Sequence, residues 1–493
     1  MAKRRCVVLG LDGVPLEAIN RIVEHGAMPF TRTLLQRSFH GELLVDLPFT
    51  LSSWSSISTG CGPAKHGVFD CLYPQPWSEP KLVTREMVER PTMCEIAAMN
   101  GLRAVTISVP MTCPPVVTSR HIVVSDWTYP KLRTWPESEM ETVSRFMRVE
   151  GPPKPVTSLE ERVERLIESV DRRCSLIEYM LQNREWDLFY AVVPEPDWVF
   201  HFLYTEILEK RGVGARALRI FERIDRLIRF IHENAPENTL LIMCSDHGFM
   251  EAHTSLNVNV LLQKLGLLKT RISRLPLRAR IVHAIARYIP PSIRERIKYG
   301  HAFTLAQRLQ VVDLLFHTGR IPIDYAKSLA YATISYNLYV NPGLEGEERR
   351  RVVETVLRAL SEYRDMFEVL DLGQNVFRGP FSDRAPTIFM VPKRGFNVST
   401  RLFYRNVVER GRWYVHSSRG FIAMTLLDGY ELEVTHRESV RNVDIAPTAL
   451  AWISAALDPD MDGAPLIRVE KPRYRRYQAL FRSLKRMKLS SSA

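Results

Sequence analysis

The sequence predicts an α/β protein built on a mostly parallel sheet with a helical insertion, and three observations point there. Short, β-rich apolar runs recur at residues 7–11, 188–193 and 239–244. Helical stretches separate them, which is the rhythm of βαβ units. Each run leads within four residues into an aspartate: Asp12, Asp197 and Asp246. Runs this short and apolar read as strands buried on both faces. Ligands of open α/β sheets bind beyond the carboxyl ends of such strands, so the three carboxylates are expected at one rim. His247 follows Asp246 directly, and His201 stands four residues after Asp197, one helical turn away. Carboxylates and imidazoles gathered this way suit a divalent metal.

The elements follow in order. After the first strand the pattern predicts a helix over 16–36, a loop over 48–73, a strand over 104–109 and a β-like run over 121–125. Residues 158–181 place Val163, Leu166, Ile167, Val170 and Leu176 at helical spacing, leading into the second Asp-bearing strand. From 262 to about 330, basic helical segments broken by Pro276, Pro290 and Pro291 read as an insertion over the sheet edge. Strand signals return at 338–340, 387–391 and 420–426, followed by a helix at 444–456 with Asp444 as its expected N-cap. Asp462 is expected in a turn, and His66 and His253 in stabilising, structural roles. The domain reading is a catalytic core over 1–261, an insertion or cap over 262–375, the second part of the core over 376–467 and a basic tail over 468–493.

Length and composition fit a large enzyme with a sizeable core: 493 residues, 45% hydrophobic. Apolar stretches are interrupted well before the roughly 18 residues a membrane span requires. The basic start runs into a strand rather than a signal peptide. Seven cysteines are scattered without metal-site or disulfide spacing, which points to reduced thiols and a cytoplasmic setting. The net charge of +12 is uneven: residues 269–298 and 468–488 each hold nine Lys or Arg against one Glu, leaving the rest mildly acidic. Such segments are either solvated faces or sites of attraction to an anionic surface. Tyr474, Tyr477 and Phe481 interleave with the tail's arginines, so peripheral contact with anionic membrane through insertion and tail is expected, and nucleic acid is the less favoured partner.

Between Pro48 and Asp70 lies a cluster of hydroxyls: Thr50, Ser52, Ser53, Ser55, Ser56, Ser58 and Thr59. Such a cluster can serve as helix caps. A hydroxyl beside a metal can also act as a nucleophile, because coordination lowers its pKa. Composition does not choose among them.

In order along the chain stand GLDG at 10–13, the Thr50 loop ending in STG at 58–60, KHG at 65–67, VPMTCPP at 109–115, PEPDWVFH at 194–201, SDHGF at 245–249 and DIAPTAL at 444–450. Together they resemble the type I phosphodiesterase/nucleotide pyrophosphatase family of the alkaline phosphatase superfamily, particularly its archaeal and bacterial cytoplasmic branch, from about residue 5 to 468. The resemblance implies a three-layer α/β/α, alkaline-phosphatase-like fold, two divalent cations, usually zinc with Mn2+ or Mg2+ as alternatives, and a covalent phospho-enzyme intermediate. The family's nucleophilic threonine stands nine positions before the threonine of its TG pair, which is Thr50 here. One metal is then assigned to Asp12, Thr50, Asp246 and His247. The second is assigned to Asp197, His201 and His416, the last from its place before the strand in YVHSSRGFIAM.

Two departures stand out. Extracellular relatives place a phosphate-binding asparagine 21 residues after the nucleophile, where this chain has Cys71, and a thiol is a weak donor. SDWTYP at 125–130 replaces a glycine-rich version, putting Trp127 and Tyr129 where they either line a pocket or pack. Two divalent cations facing three aspartates and a threonine alkoxide leave the site near neutral, which suits a monoanionic diester better than a dianionic monoester. The expected function is metal-dependent hydrolysis of phosphodiester or pyrophosphate bonds in a small or nucleotide substrate, through a phosphothreonine. The alternatives are a phosphomonoesterase or phosphonate hydrolase of the same superfamily, or a membrane-associated binding module on a retired enzyme fold.

Overall fold

A computed structural model describes residues 3–147, 158–271, 323–402, 405–435, 439–468 and 472–491. Residues 272–322 of the expected insertion, including nearly all of its basic segment, lie outside the described residues. Apart from a two-stranded antiparallel hairpin at Leu72–Gln75 and Ser78–Leu82, the strands begin with β1 (Arg5–Leu11), β2 (Phe39–Leu44), β3 (Ala104–Ile107), β4 (His121–Val124), β5 (Thr134–Trp135), β6 (Leu188–Val193) and β7 (Thr239–Cys244). They are followed by β8 (Gly248–Asn257), β9 (Ala330–Ala332), β10 (Asn337–Val340), β11 (Phe367–Leu372), β12 (Ile388–Pro392), β13 (Gly395–Ser399), β14 (Val408–Ser417) and β15 (Arg419–Leu426).

The main sheet has eight strands in the order β2-β15-β7-β1-β6-β3-β4-β5. Its five central strands, β7 to β4, run parallel, while β15 lies antiparallel between β7 and β2. Alternation along β1 decides its packing: Val7, Leu9 and Leu11 enter one hydrophobic core, and Cys6 and Val8 the other. Helices α1 (Leu16–Glu24), α4 (Leu159–Asn183), α5 (Glu195–Leu208) and α6 (Gly212–Asn234) close the first core. The second is closed by α2 (Thr50–Thr59), α3 (Met93–Met99) and α7 (Ile445–Trp452). The result is the three-layer α/β/α architecture.

Some elements differ from expectation. The single helix over 16–36 is two, Leu16–Glu24 and Pro29–Leu35, because the chain turns through Gly26 at φ +78° and restarts at a proline. Asp444 does not cap α7 with its side chain. Its carboxylate instead accepts from the backbone N–H of Arg441 (2.9 Å) and of Ala464 (2.9 Å). Asp462 does more than turn the chain, since it accepts from Gly62 N–H (2.8 Å) and pairs with Lys65 (2.6 Å), tying the C-terminal region to the end of the hydroxyl loop. The smaller antiparallel sheet β9-β10-β12-β11 takes strands from both sides of the expected boundary at residue 375.

The basic tail is also more than an extension. Its helix, α8 (Gln478–Ser491), lies on the body with Tyr477 and Phe481 fully buried. Those two rings belong to the protein's interior, and of the three aromatics expected at an interface only Tyr474 is exposed. No helix among the described residues is long and apolar enough to cross a membrane.

Candidate active site

The rim expected from the strand ends is present, at the carboxyl edge of β1, β6 and β7. Asp12 follows β1, and Asp246 and His247 stand between β7 and β8. Asp197 and His201 lie in the first turns of α5, which begins two residues after β6. His416 arrives from β14, directly opposite Phe249 in the antiparallel β8–β14 pair. All seven expected side chains meet. His247 Nε2 is 3.4 Å from Asp246 Oδ2, 3.6 Å from Asp12 Oδ1, 3.9 Å from Asp197 Oδ1 and 3.4 Å from Thr50 Oγ1. Asp197 Oδ1 is 3.3 Å from His416 Nε2 and 3.4 Å from His201 Nε2.

Local packing makes this convergence rigid. Gly13 turns the chain at φ +71°, where a β-carbon would meet Phe249 at 2.8 Å and the Asp197 β-carbon at 3.1 Å, and its N–H holds Asp246 Oδ1 at 3.1 Å. Trp54, fully buried in α2, donates its indole N–H to Asp12 Oδ2 at 3.0 Å. Glu195 opens α5 as a buried carboxylate clamped by Arg173 Nε at 3.0 and 3.1 Å and by Ser169 at 2.8 Å, which fixes the turn bearing Asp197. His247 and His416 stack with ring centroids 3.6 Å apart.

The donor set fits a divalent cation on the protein's own evidence. Asp12 Oδ1, Asp197 Oδ1 and Asp246 Oδ2 are buried without a hydrogen-bond partner, while Asp12 Oδ2 and Asp246 Oδ1 are held by Trp54 and Gly13. Unsatisfied buried oxygens are costly and seldom left so in a native protein. The imidazoles complement them. His247 Nδ1 is 3.1 Å from Gly248 O and His416 Nδ1 is 3.3 Å from Pro48 O; a carbonyl only accepts, so both rings carry the proton on Nδ1 and turn a bare Nε2 inward. Burial and crowding by neighbouring carboxylates push Asp12 and Asp246 well above the usual carboxylate range, whereas burial of Asp197 is outweighed by His201 and His416, which hold it well below. Burial lowers both His247 and His416. A cation among them relieves the carboxylate crowding without competing with an imidazolium. Two overlapping groups have ligand atoms within 4.8 Å of one another: Asp197, His201 and His416, and Asp12, Asp197 and His247.

The hydroxyls of the loop are sorted by their partners. Ser52 donates to Val68 O (2.8 Å), Ser53 to Asp246 O (2.5 Å), Ser55 to Leu51 O (2.6 Å) and Thr59 to Ser55 O (2.7 Å). Ser56 bonds His66 at 3.0 Å, and Ser58 donates to the Tyr190 hydroxyl at 3.4 Å. Thr50, at the first position of α2, has its hydroxyl directed at the bare Nε2 of His247. Cys71 packs against the cluster that includes Leu51 of α2's first turn. Trp127 packs edge-on against Trp198 and Tyr129 against Trp135. His66 is buried in the loop, and His253 is exposed near Glu251. Sequence reasoning missed the supporting residues Trp54, Ser245, which accepts from Val14 N–H at 2.9 Å, and Asn442, which reaches Ser53 at 3.1 Å. Only Ser245 had a visible signal, its place inside SDHGF.

A mostly parallel sheet between two helical layers makes the fold alkaline-phosphatase-like, and its carboxylate and imidazole rim offers groups that could hold a divalent metal. The chain belongs to the type I phosphodiesterase/nucleotide pyrophosphatase family, whose model matches residues 6–409. Its fold is similar to that of phosphonoacetate hydrolase from Sinorhizobium meliloti 1021 in complex with phosphonoformate (TM-score 0.56, 14% identity, 92% of this chain and 96% of that one). Murine ectonucleotide pyrophosphatase/phosphodiesterase 5, in an inactive form with AMP, is similar at a TM-score of 0.53 and 10% identity, again over 92% and 96% of the two chains. Wild-type alkaline phosphatase PafA aligns at 0.53 and 12% identity over 94% and 99%. Among curated proteins, no match to the sequence is found.

Proposed function

We infer that the protein hydrolyses phosphodiester or pyrophosphate bonds of a small or nucleotide substrate through a phosphothreonine at Thr50. The observation that supports this most directly is the Thr50 hydroxyl, 3.4 Å from His247 Nε2 and beside three buried carboxylate oxygens without hydrogen-bond partners. In the first half-reaction Thr50 Oγ1, having lost its proton, bonds to phosphorus in line with the bond to the leaving oxygen, which breaks. In the second, water takes the place of Oγ1 and the threonine is regenerated. The start of α2 contributes free N–H groups and the positive end of a helix dipole to the phosphoryl oxygens. Asp12, Asp246 and His247 with Thr50 would hold one divalent cation and Asp197, His201 and His416 a second, zinc or else Mn2+ or Mg2+, supplying positive charge that acidifies the hydroxyl and offsets charge on the phosphoryl group.

Among the described residues no Lys or Arg hydrogen-bonds or ion-pairs with these seven side chains, which favours a monoanionic diester over a dianionic monoester. A reducing, cytoplasmic setting accords with seven free cysteines. The test compares bis(p-nitrophenyl) phosphate with p-nitrophenyl phosphate and looks for acid-stable phosphothreonine after rapid quenching. The diester is expected to turn over faster, and Thr50→Ala to lose about a thousandfold or more of kcat together with the phosphothreonine. Undiminished turnover by Thr50→Ala would remove the nucleophile assignment, and a strong preference for the monoester would remove the diesterase reading.

A further inference from the structure

Packing of the C-terminal helix separates its basic residues into two sets. Tyr477, Phe481, Lys485 and Lys488 face the body at helical spacing. Tyr477 is held between Asn100 (2.6 Å) and Ala456 O (3.2 Å), and Arg85 lies 5.5 Å over the Phe481 ring. Gln478 reaches Glu89 O at 2.7 Å, Lys485 reaches Val88 O at 3.1 Å and the Glu89 carboxylate at 3.4 Å, and Lys488 donates to Pro115 O. These contacts orient α8 along its length and leave the opposite face outward.

That outward face alternates charge with apolar surface. Leu480, Ser483 and Met487 form one exposed stripe of α8, and Ala479, Arg482 and Arg486 form the next; Arg475 and Arg476 stand before the helix, the Arg475 guanidinium 5.5 Å over the Tyr477 ring. Leu480 is 39% exposed and Met487 66%, and Tyr474 stands just before the helix at 61%. Arg475, Arg482 and Arg486 form no ion pair among the described residues. The helix thus aligns Arg482 and Arg486, neither of them in an ion pair among the described residues, with exposed Leu480 and Met487.

We propose that the outward face of α8 is a docking surface for an anionic lipid bilayer, with Leu480 and Met487 entering the headgroup boundary and Arg482 and Arg486 meeting lipid phosphates. The apolar residues decide between membrane and nucleic acid: a basic face with buried-membrane anchors on it gains from a bilayer what a phosphate backbone does not offer. Clamping of the inner face gives the helix its shape before it reaches the lipid, so docking carries no folding cost for the segment.

Deleting the tail would not test this, because it would strip Tyr477 and Phe481 from the interior. The informative variants of the full-length chain are Leu480→Ser with Met487→Ser, and Arg482→Glu with Arg486→Glu, each checked for an unchanged Tm. Partition is measured by flotation with phosphatidylcholine vesicles with and without phosphatidylglycerol. The wild type is expected to bind the anionic vesicles and to be released by salt, and each variant to bind at least tenfold more weakly while hydrolysing a soluble diester normally. Equal partition of wild type and variants would overturn the proposal. So would loss of binding in the arginine variant alone with equal capture of wild type by heparin, which would mark a polyanion surface without bilayer insertion.

Discussion

Trp54 is the residue whose function is least visible in its surroundings. Nothing in a serine-rich loop announces that one indole N–H reaches the first aspartate of the rim, yet it holds Asp12 Oδ2 and so turns Oδ1 inward. Its ring also explains Gly10 on β1, where a β-carbon would come within 2.3 Å of the indole. Trp54→Phe keeps most of the packing and removes the donor. Divalent-ion affinity, read by chelator competition, is expected to fall by about 10- to 100-fold with the far-UV spectrum unchanged; an unaltered affinity would make Trp54 a packing residue only. Site residues near strand ends were legible in the sequence because a strand end and a short helical spacing are local. Trp54 and Asn442 were not, because their contacts cross 42 and 389 residues of chain.

Among the elements, the turn between β9 and β10 links two parts of the rim. Asp70, at the end of the hydroxyl loop, is buried and accepts from Ser335 (2.9 Å), Asn337 (3.1 Å), Thr333 and the Cys71 N–H (2.7 Å). From the same turn Tyr336 donates to the backbone carbonyl of His416 at 3.3 Å. Asp70→Ala removes the shared acceptor of these donors, of which Thr333 keeps Asn337 O (3.3 Å) and Asn337 keeps Phe69 O (2.7 Å) as alternatives, and an unfolding free energy lower by on the order of 3 kcal/mol is expected in urea titration. A loss under about 0.5 kcal/mol, the range of ordinary surface substitutions, would mean the turn is held by other contacts. The parallel strands were readable from their apolar runs, whereas β2 and β5 were not. Phe39–Leu44 exposes alternate residues at the sheet edge, and Thr134–Trp135 is two residues long, so neither presents a strong periodic signal.

At the scale of the whole molecule, two buried histidines outside the rim couple stability to pH. His66 accepts from Val68 N–H at Nδ1 (3.2 Å), and His121 bonds Thr106 (2.8 Å) and Val117 O (3.1 Å). Burial pushes His66 down to about 3 and His121 to about 4. Their folded pKa lies below that of the unfolded chain, so their contribution is intact above about pH 6.5 and is lost as pH falls toward the folded values. Each is expected to remove about 1.4 kcal/mol per pH unit in that window. His121→Gln should flatten the pH dependence of unfolding by one proton relative to wild type, and identical slopes would place His121's titration outside the folding equilibrium. The mostly parallel sheet was legible because βαβ spacing is periodic, and its three layers were implied by the family resemblance; the place of β15 was not legible, because nothing local tells a strand which neighbours it joins. That placement has a consequence for synthesis. The strand Phe39–Leu44 leaves the ribosome early, but its partner Arg419–Leu426 emerges some 380 residues later, and β7 waits with an open edge for the same strand. Until then the nascent chain presents unpaired backbone to its neighbours, and its last rim histidine, His416, has yet to appear. Maturation is therefore a late, single event, and a chain that stalls before residue 419 is an aggregation hazard rather than a partly working enzyme.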